Sequence, residues 1–286
     1  MGGGKAVIIG DPAADKSPQL FAKMGEFIDS LNGLYVSAED SGTSVSDLKI
    51  MATQTEHVLG INDSQEFGGD PSPLTAHGIF CGIRAAVSYK FNGAGLKDKV
   101  IAVQGAGAVG RYLIKELIAA GAEVVACDIN QANLRQAQQL GAKVCNVNEI
   151  MTVQSDVFAP CAMGAILDDV SISKLSASIV AGGANNQLAE ARHAQSLHDK
   201  GVLYAPDYVI NAGGIIEICR QFKDESASSY YAQIEAIGAT LTDIFKQSDK
   251  LNMTTSAVAD KIAEQRFLVQ PPIIHNQKNT SVSDAA

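Results

Sequence analysis

The hydrophobic pattern of the first third of the chain predicts alternating strands and helices. Short apolar runs at residues 6–10 and 34–38 predict buried strands, each ended by a polar or glycine-containing turn. Between them, apolar side chains recur at helical spacing and predict one helix with a single apolar stripe, formed by Leu20, Phe21, Met24, Phe27, Ile28 and Leu31. A second helix is predicted from about Ser46. This part is therefore a strand–helix–strand–helix unit.

From about residue 97 the alternation becomes regular. Strands are predicted at 99–104, 123–127, 143–145, 156–159, 179–181 and 202–205, with helices at 107–120, 131–140 and 189–199 among them. Strands that alternate with helices at this spacing indicate a parallel sheet covered on both faces, so the fold class is α/β. Helical patterns return after Asn211 and continue to about Phe267, and the polar residues 277–286 predict a disordered tail.

A glycine motif lies between the first strand and helix of the regular part. It reads Gly105-Ala106-Gly107-Ala108-Val109-Gly110, a G-x-G-x-x-G pattern that alone would be weak in a chain with 26 glycines. Its context makes it specific, because it follows a strand, opens a helix and is followed by Asp128 at the end of the next strand. This is the arrangement of a Rossmann dinucleotide fingerprint in a doubly wound sheet.

Each residue of this motif has a physical task. Gly105 permits the tight turn, Gly107 lets the backbone approach a pyrophosphate at the helix N-terminus, and Gly110 allows the helix to pack closely on the strand. Asp128 accepts hydrogen bonds from a ribose 2′-hydroxyl and repels a 2′-phosphate, which favours NAD over NADP. The alternative is a structural glycine turn without a ligand.

Candidate catalytic residues come from the first part of the chain. Lys5 follows three glycines, and a lysine that is desolvated or placed beside other cations there could have a lowered pKa and act as a base. Asp40, at the end of the second predicted strand, is expected at the same sheet edge. The residues alone leave the alternative open that both are ordinary surface side chains.

Composition excludes several other functions. The net charge of −9 and the lack of a Lys/Arg cluster argue against nucleic acid as a partner. No apolar run approaches the length of a membrane helix. The cysteines are odd in number and scattered without C-x-x-C spacing, which predicts reduced, buried thiols in a cytoplasmic protein, a catalytic cysteine being the alternative; they are Cys81, Cys127, Cys145, Cys161 and Cys219. The histidines show no metal-ligand spacing, so no metal is expected.

Several segments resemble motifs of one enzyme family. They are residues 2–8 (GGGKAVI), 10–12 (GDP), 38–43 (AEDSGT), 69–76 (GDPSPLTA), 158–162 (FAPCA), 183–188 (GANNQL) and 204–214 (YAPDYVINAGG). In this order and spacing the chain resembles the glutamate/leucine/phenylalanine/valine dehydrogenase superfamily, most of all its leucine (branched-chain) members. The resemblance extends from the first residue to about Phe267.

The resemblance implies a reaction and a role for each site residue. The reaction is the reversible oxidative deamination of a branched-chain L-amino acid to a 2-oxo acid and ammonia, with NAD as hydride acceptor. Lys5 resembles the general base that activates water, and Asp40 the carboxylate that relays protons to and from the substrate nitrogen. The other implied residues are Thr75 and Asn185 near the nicotinamide, Asn211 near the amino acid, and Ala38, Ile215 and Ile218 around its aliphatic side chain.

The resemblance also implies an organisation into domains. Residues 1–72 are expected to be the remnant of a truncated α/β catalytic domain, with helices at about 245–270 packing back on it. Residues 73–244 are expected to bind NAD, and residues 271–286 to be a disordered tail. The family forms homo-oligomers, and the same is expected here.

The family pattern includes a segment upstream of the triple glycine, with a second lysine that reads the substrate carboxylate. Without that lysine, substrate binding is expected to lose a charge-assisted hydrogen bond worth ~1.5–3 kcal/mol, and the missing strands would expose a sheet edge. Two alternatives therefore stay open. One is a phenylalanine dehydrogenase, and the other is a catalytically impaired NAD-binding or oligomer-interaction protein.

Overall fold

The computed structural model describes residues 3–40, 42–61, 71–223 and 227–269. The predicted disordered tail lies outside these residues, as do Gly2, Ser41, Gly69 and Asp70 of the quoted motifs.

The centre of the fold is a six-stranded parallel sheet in the order β3-β2-β1-β4-β5-β6. The strands are β1 (Val100–Gln104), β2 (Glu123–Cys127), β3 (Lys143–Val144), β4 (Val157–Pro160), β5 (Ile179–Val180) and β6 (Leu203–Tyr204). Strand β1 pairs with β2 on one side and with β4 on the other. The chain therefore winds outwards from β1 and β4 in both directions, which confirms the doubly wound α/β prediction and opens a crevice at their carboxyl ends.

Helices cover both faces of this sheet. Those that follow its strands are α4 (Ala108–Ala119), α5 (Gln131–Gln139), α6 (Asp169–Lys174), α7 (His193–Asp199), α8 (Asp207–Ile210) and α9 (Gly213–Lys223). Successive side chains of β1 enter different cores, since Ile101 and Val103 belong to one apolar cluster and Ala102 to the other. This alternation explains why β1 is a continuous apolar run.

The N-terminal unit has a separate, smaller core. It consists of α1 (Pro18–Asp29) and α2 (Val45–Met51), which pack together around Phe21, Ile28 and Leu48. Ser17 caps α1, because its hydroxyl accepts a hydrogen bond from the Leu20 amide. Ser44 and Asp47 form a reciprocal capping box at the start of α2. Both predicted helices are thus present, with ends fixed by polar side chains.

The strand predicted at residues 6–10 is wrong. The segment forms no strand among the described residues, and the side chains of Val7 and Ile9 are 79% and 99% exposed. The strand predicted at 34–38 is reduced to a single parallel bridge between Ser37 and Val58. An apolar run becomes a strand only where a neighbour completes its backbone hydrogen bonds.

Helix α3 (Ser72–Lys90) was not predicted from the pattern. Its buried residues include Gly78, Gly82 and Ile83, so small and apolar positions occupy much of its circumference and blur the stripe. The two last helices, α10 (Ala227–Leu251) and α11 (Thr255–Val269), extend the larger core: α10 packs along α3, and α11 packs against α10. The division into domains stays a prediction. Across the described ranges, none of the helices combines the length and apolar content that a membrane crossing requires.

Candidate active site

The glycine-rich loop is tightly packed where β1 turns into α4. Gly105 has a φ of +93°, and a Cβ placed on it would lie 2.9 Å from the Ala162 nitrogen. Its own amide donates to the Cys127 carbonyl over 2.8 Å, which ties the loop to the end of β2. A Cβ on Gly110 would overlap the carbonyl oxygen of Gly105. Both positions therefore require glycine.

Gly107 differs, because the space around it is open. A Cβ there would meet no atom within 4 Å, and no side chain caps the first turn of α4 at this residue. Asp128 supports the same loop by accepting hydrogen bonds from the Ala106 amide over 2.8 Å and from Asn133 Nδ2 over 3.1 Å. An open glycine at an uncapped helix N-terminus, beside a fixed carboxylate, fits a pyrophosphate and a ribose of a dinucleotide.

Lys5 and Asp40 lie together. The Nζ atom of Lys5 forms an ion pair with Oδ2 of Asp40, 35 residues along the chain. The Asp40 backbone is held in a turn, since its amide donates to the Thr43 hydroxyl over 3.0 Å and its carbonyl accepts from the Thr43 amide over 2.9 Å. The side chains of Lys5 and Asp40 are 68% and 47% exposed, so both can exchange protons with solvent.

A second cluster of predicted site residues lies at the carboxyl edge of the sheet. Asn211, just after α8, donates from Nδ2 to Oδ1 of Asn185 over 2.6 Å, in the loop after β5. The same Nδ2 lies 3.3 Å from the carbonyl oxygen of Gly183. Thr75 donates to the Pro71 carbonyl over 3.0 Å, and a Cβ on Gly214 would lie 2.6 Å from its hydroxyl. Asn185 and Asn211 therefore form one polar pair, while Thr75 lies against the start of α9.

The predicted side-chain pocket is divided between the two parts of the chain. Ile215 and Ile218 lie three residues apart on α9 and so share a helix face. Ile215 is 56% exposed and Ile218 is half-buried. Ala38 is half-buried in the N-terminal unit, two residues before Asp40. The assembly of these three into one pocket stays a prediction.

Two residues behind the asparagine pair were missed by the sequence analysis. The backbone amide of Gln187 donates to Oδ2 of Asp207 over 2.9 Å, and both side chains are buried. The Gln187 side chain also donates to the carbonyls of Gly182 over 2.7 Å and Ala184 over 3.0 Å. Polar residues in loops are expected at the surface, so only the Pro206-Asp207 helix start gave a sequence signal here.

The thiols near the site are structural. Burial raises the pKa of Cys127 to about 12 and that of Cys161 to about 11. Both thiols are therefore protonated at neutral pH, which disfavours a nucleophilic role. Within the described ranges, no group of three or more His, Cys, Asp and Glu side chains is arranged to hold a metal ion.

Family models match most of the chain. The model described as Glutamate/Leucine/Phenylalanine/Valine dehydrogenase matches residues 70–140 and 128–270. A second model, the Glu/Leu/Phe/Val dehydrogenase dimerisation domain, matches residues 1–57.

Individual relatives show similarity along most of the chain. Leucine dehydrogenase of Bacillus cereus is 43% identical over 268 residues, covering 93% of this chain and 73% of that protein. Phenylalanine dehydrogenase of Lysinibacillus sphaericus is 40% identical over 267 residues, covering 91% and 70%. The solved structure of L-tryptophan dehydrogenase from Nostoc punctiforme superposes with a TM-score of 0.79 at 36% identity, covering 93% of this chain and 77% of that one.

Proposed function

The chain belongs to the glutamate/leucine/phenylalanine/valine dehydrogenase family, and we propose that it catalyses the reversible oxidative deamination of a branched-chain L-amino acid. It is an NAD-dependent amino-acid dehydrogenase, and its products are a 2-oxo acid and ammonia. The observation that supports this reaction best is the ion pair between Lys5 and Asp40. It joins an amine and a carboxylate from two motifs, as proton transfer from water and to and from the substrate nitrogen requires.

NAD, when bound, accepts the hydride that leaves the α-carbon of the amino acid. Gly105, Gly107 and Gly110 with the N-terminus of α4 hold its pyrophosphate, because the open face of Gly107 leaves room beside uncapped amides. Asp128 would bind the ribose hydroxyl next to the adenine. Thr75 and Asn185 would contact the nicotinamide.

Lys5 and Asp40 move the protons. When Lys5 has released its proton, its Nζ removes a proton from the water that adds to the imino carbon, and the resulting ammonium is the form that pairs with Asp40. Asp40 takes protons from the substrate nitrogen and returns them as ammonia leaves. Both side chains reach solvent, so the excess proton passes to bulk water before the next turnover.

The proposed preference for a branched-chain substrate rests on three aliphatic side chains of the predicted pocket. Ala38, Ile215 and Ile218 offer only apolar contacts, so a γ-carboxylate would gain no ion pair from them, whereas a branched alkyl chain would bury apolar area. Asn211 contacts the amino acid itself. The 43% identity to leucine dehydrogenase favours the same class. An aromatic substrate is the second candidate, since relatives at 40% and 36% identity are phenylalanine and tryptophan dehydrogenases.

The same proposal includes assembly and domain organisation. The chain forms a homo-oligomer, supported by the dimerisation-domain model that matches residues 1–57. Residues 1–72 contribute to catalysis and assembly, and residues 73–244 bind NAD, with the substrate between them. The separate core of the N-terminal unit supports this division.

The test is a kinetic panel with the purified chain. NADH absorbance is followed with leucine, isoleucine, valine, phenylalanine, tryptophan and glutamate, and NAD binding is measured by calorimetry on the same sample. The highest kcat/KM is expected for a branched-chain substrate. A preference for phenylalanine or tryptophan would replace the substrate class, and NAD binding without turnover would favour the impaired NAD-binding protein. A folded chain that neither binds NAD nor turns over would refute the proposal.

A further inference from the structure

The loop after β5 is held against its surroundings more firmly than an exposed active-site loop requires. A Cβ on Gly182 would overlap the backbone of Pro160, and one on Gly183 would overlap the Ile79 side chain. Asn186 has a φ of 53°, an uncommon conformation for a residue with a side chain. Asn185 itself is exposed at the tip. The tip is therefore free to meet a ligand while its base is fixed.

The side chain of Gln187 closes this loop from inside. Its Nε2 donates to the carbonyl oxygens of Gly182 and Ala184, which lie on either side of Gly183 and just before Asn185. The side chain is completely buried, and its Oε1 has no hydrogen-bond partner among the residues that the structure describes. A buried amide oxygen without a hydrogen-bond partner costs free energy. The side chain therefore keeps its two donated hydrogen bonds while its own Oε1 stays without a donor in the described part of the chain.

Asp207 connects this loop to α8. Its Oδ2 accepts from the Gln187 amide over 2.9 Å, and its Oδ1 accepts from the Tyr208 amide over 2.8 Å. Asn211 lies four residues later, on the same side of the helical turn, and donates to Asn185. Asp207 thus makes a buried hydrogen bond to the loop, and Asn211, just after α8, adds an exposed one to Asn185 and a longer one to the Gly183 carbonyl.

We propose that Asp207 and Gln187 are positioning residues that fix the Asn185–Asn211 pair for the nicotinamide and the amino acid. They touch neither ligand and act through the asparagines. This inference rests on the proposed dehydrogenase function. The buried bond between the Gln187 amide and Asp207 sets the distance between the loop and α8. The exposed bond between Asn211 and Asn185 then forms with the two side-chain amides already aligned. Preorganisation of this kind matters because a displacement of about 1 Å near reacting atoms can cost about 100-fold in rate.

The main test is Asp207→Asn, which keeps the size of the side chain. An aspartate offers an acceptor to both the Gln187 and Tyr208 amides, whereas an asparagine must point its own NH2 group at one of them. We expect kcat/KM for the preferred amino acid to fall about 100-fold. Gln187→Met removes the two donors but keeps the bond from the backbone amide to Asp207, and a smaller loss of about tenfold is expected.

The matched control is Asp168→Asn. Asp168 also accepts a backbone hydrogen bond, from Ser171 over 2.7 Å at the exposed start of α6, and asparagine serves equally well at that position. Its kcat/KM should equal that of the wild type.

Binding measurements separate positioning from general damage to the fold. ADP-ribose keeps the pyrophosphate and both riboses of NADH but lacks the nicotinamide, so its Kd reports on every proposed contact except those with the nicotinamide. For Asp207→Asn, calorimetry should show a Kd for NADH raised about tenfold more than the Kd for ADP-ribose, which corresponds to a loss confined to the nicotinamide end. Equal weakening of both ligands, or kcat/KM within threefold of the wild type, would overturn the positioning role.

The two proposals fail in different ways. If the wild type turns over no amino acid, the dehydrogenase proposal fails, and the ratio of the two dissociation constants still decides the role of Asp207. If Asp207→Asn does not fold, Gln187→Met decides it by the same ratio.

Discussion

Two glycine-rich loops hold the proposed chemistry of this chain, and they are built in opposite ways. The loop at Gly105–Gly110 lies in the middle of the sheet, where Cβ atoms on its first and last glycines would collide with neighbouring backbone. The loop before Lys5 is exposed, and a Cβ on Gly3 would meet nothing within 4 Å. The first loop is packed tightly at Gly105 and Gly110 and open only at Gly107, while the second is connected to Asp40 by an ion pair. The proposed cofactor site is therefore built into the folded core, whereas the proposed proton-transfer pair lies at the surface.

The largest effect expected from this difference is in Lys5→Ala. Removing the base should lower kcat about 1,000-fold, a typical contribution of general base catalysis. The Kd for NADH should stay within twofold of the wild type, because the variant leaves the loop at Gly105–Gly110 unchanged. Stopped-flow or steady-state NADH absorbance measures kcat, and calorimetry measures Kd.

Lys23→Ala is the matched control for this variant. Lys23 is also an exposed lysine with a carboxylate partner, Glu26, but it lies on α1 away from the motif. If both lysine variants keep the turnover of the wild type, Lys5 is not the base. The loop before Lys5 would then have no part in proton transfer.

Gly110→Ala should damage the fold of the sheet region. The added Cβ would overlap the Gly105 carbonyl, and overpacking of this kind costs about 1–3 kcal/mol in the free energy of unfolding. NADH binding should be lost with it. Urea unfolding followed by circular dichroism measures the change, and Gly95→Ala, where a Cβ would meet nothing within 4 Å, is the neutral comparison. Equal free energies of unfolding for the two variants would show that the loop at Gly105–Gly110 can accommodate the added Cβ.

Gly107→Ala should separate binding from stability. Its Cβ would enter open space, so the free energy of unfolding without cofactor should change by less than about 0.5 kcal/mol. The same Cβ would occupy room proposed for the pyrophosphate, and the Kd for NADH should rise about tenfold, or about 1.4 kcal/mol. Unchanged affinity would place the pyrophosphate elsewhere.

The smallest effect concerns the N-terminal unit and depends on pH. Burial alone would raise the pKa of Asp47, but hydrogen bonds from Lys16 and Ser44 outweigh it, so the pKa lies below its usual range. A carboxylate with a depressed pKa stabilises the fold above the unfolded pKa of about 4, and this contribution is lost as the pH falls through the folded value. Asp47→Asn should therefore cost about 1 kcal/mol at pH 7.

The pH series tests the sign of this effect. In urea titrations, the difference between wild type and Asp47→Asn should be equal at pH 7 and pH 5 and should shrink below about pH 4. A difference that grows as the pH falls would contradict the assignment of the ionised form to the folded state.

The sheet region was predictable because local pattern and long-range pairing agree there. The strands of β1 and β2 were found within a residue of their observed bounds, and the position of Asp128 after β2 identified the fingerprint. In the N-terminal unit the helices were also found, since their caps and apolar stripe are local features. The strand at residues 6–10 failed because strand formation depends on a partner that no local pattern specifies.

The site was partly predictable for a similar reason. Lys5 pairs with Asp40 although the sheet edge expected there is absent from the described residues, and Asn185 pairs with Asn211, which was not predicted; the catalytic and binding roles of all four stay predictions. Gln187 and Asp207 could not be found in this way, because nothing in a loop sequence shows that a polar side chain is buried. Their importance becomes visible only from the contacts they make.

The position of Asp128 has a consequence for how coenzyme preference could evolve. The carboxylate proposed to select NAD also holds the Ala106 amide inside the glycine-rich loop and accepts from Asn133 on α5. A single replacement that admits a 2′-phosphate by removing this carboxylate would therefore also remove the acceptor of the Ala106 amide and of Asn133. A change of coenzyme in this chain requires at least two steps, one to restore the loop and one to bind the phosphate. A neutral path between the two preferences would have to repair the loop first.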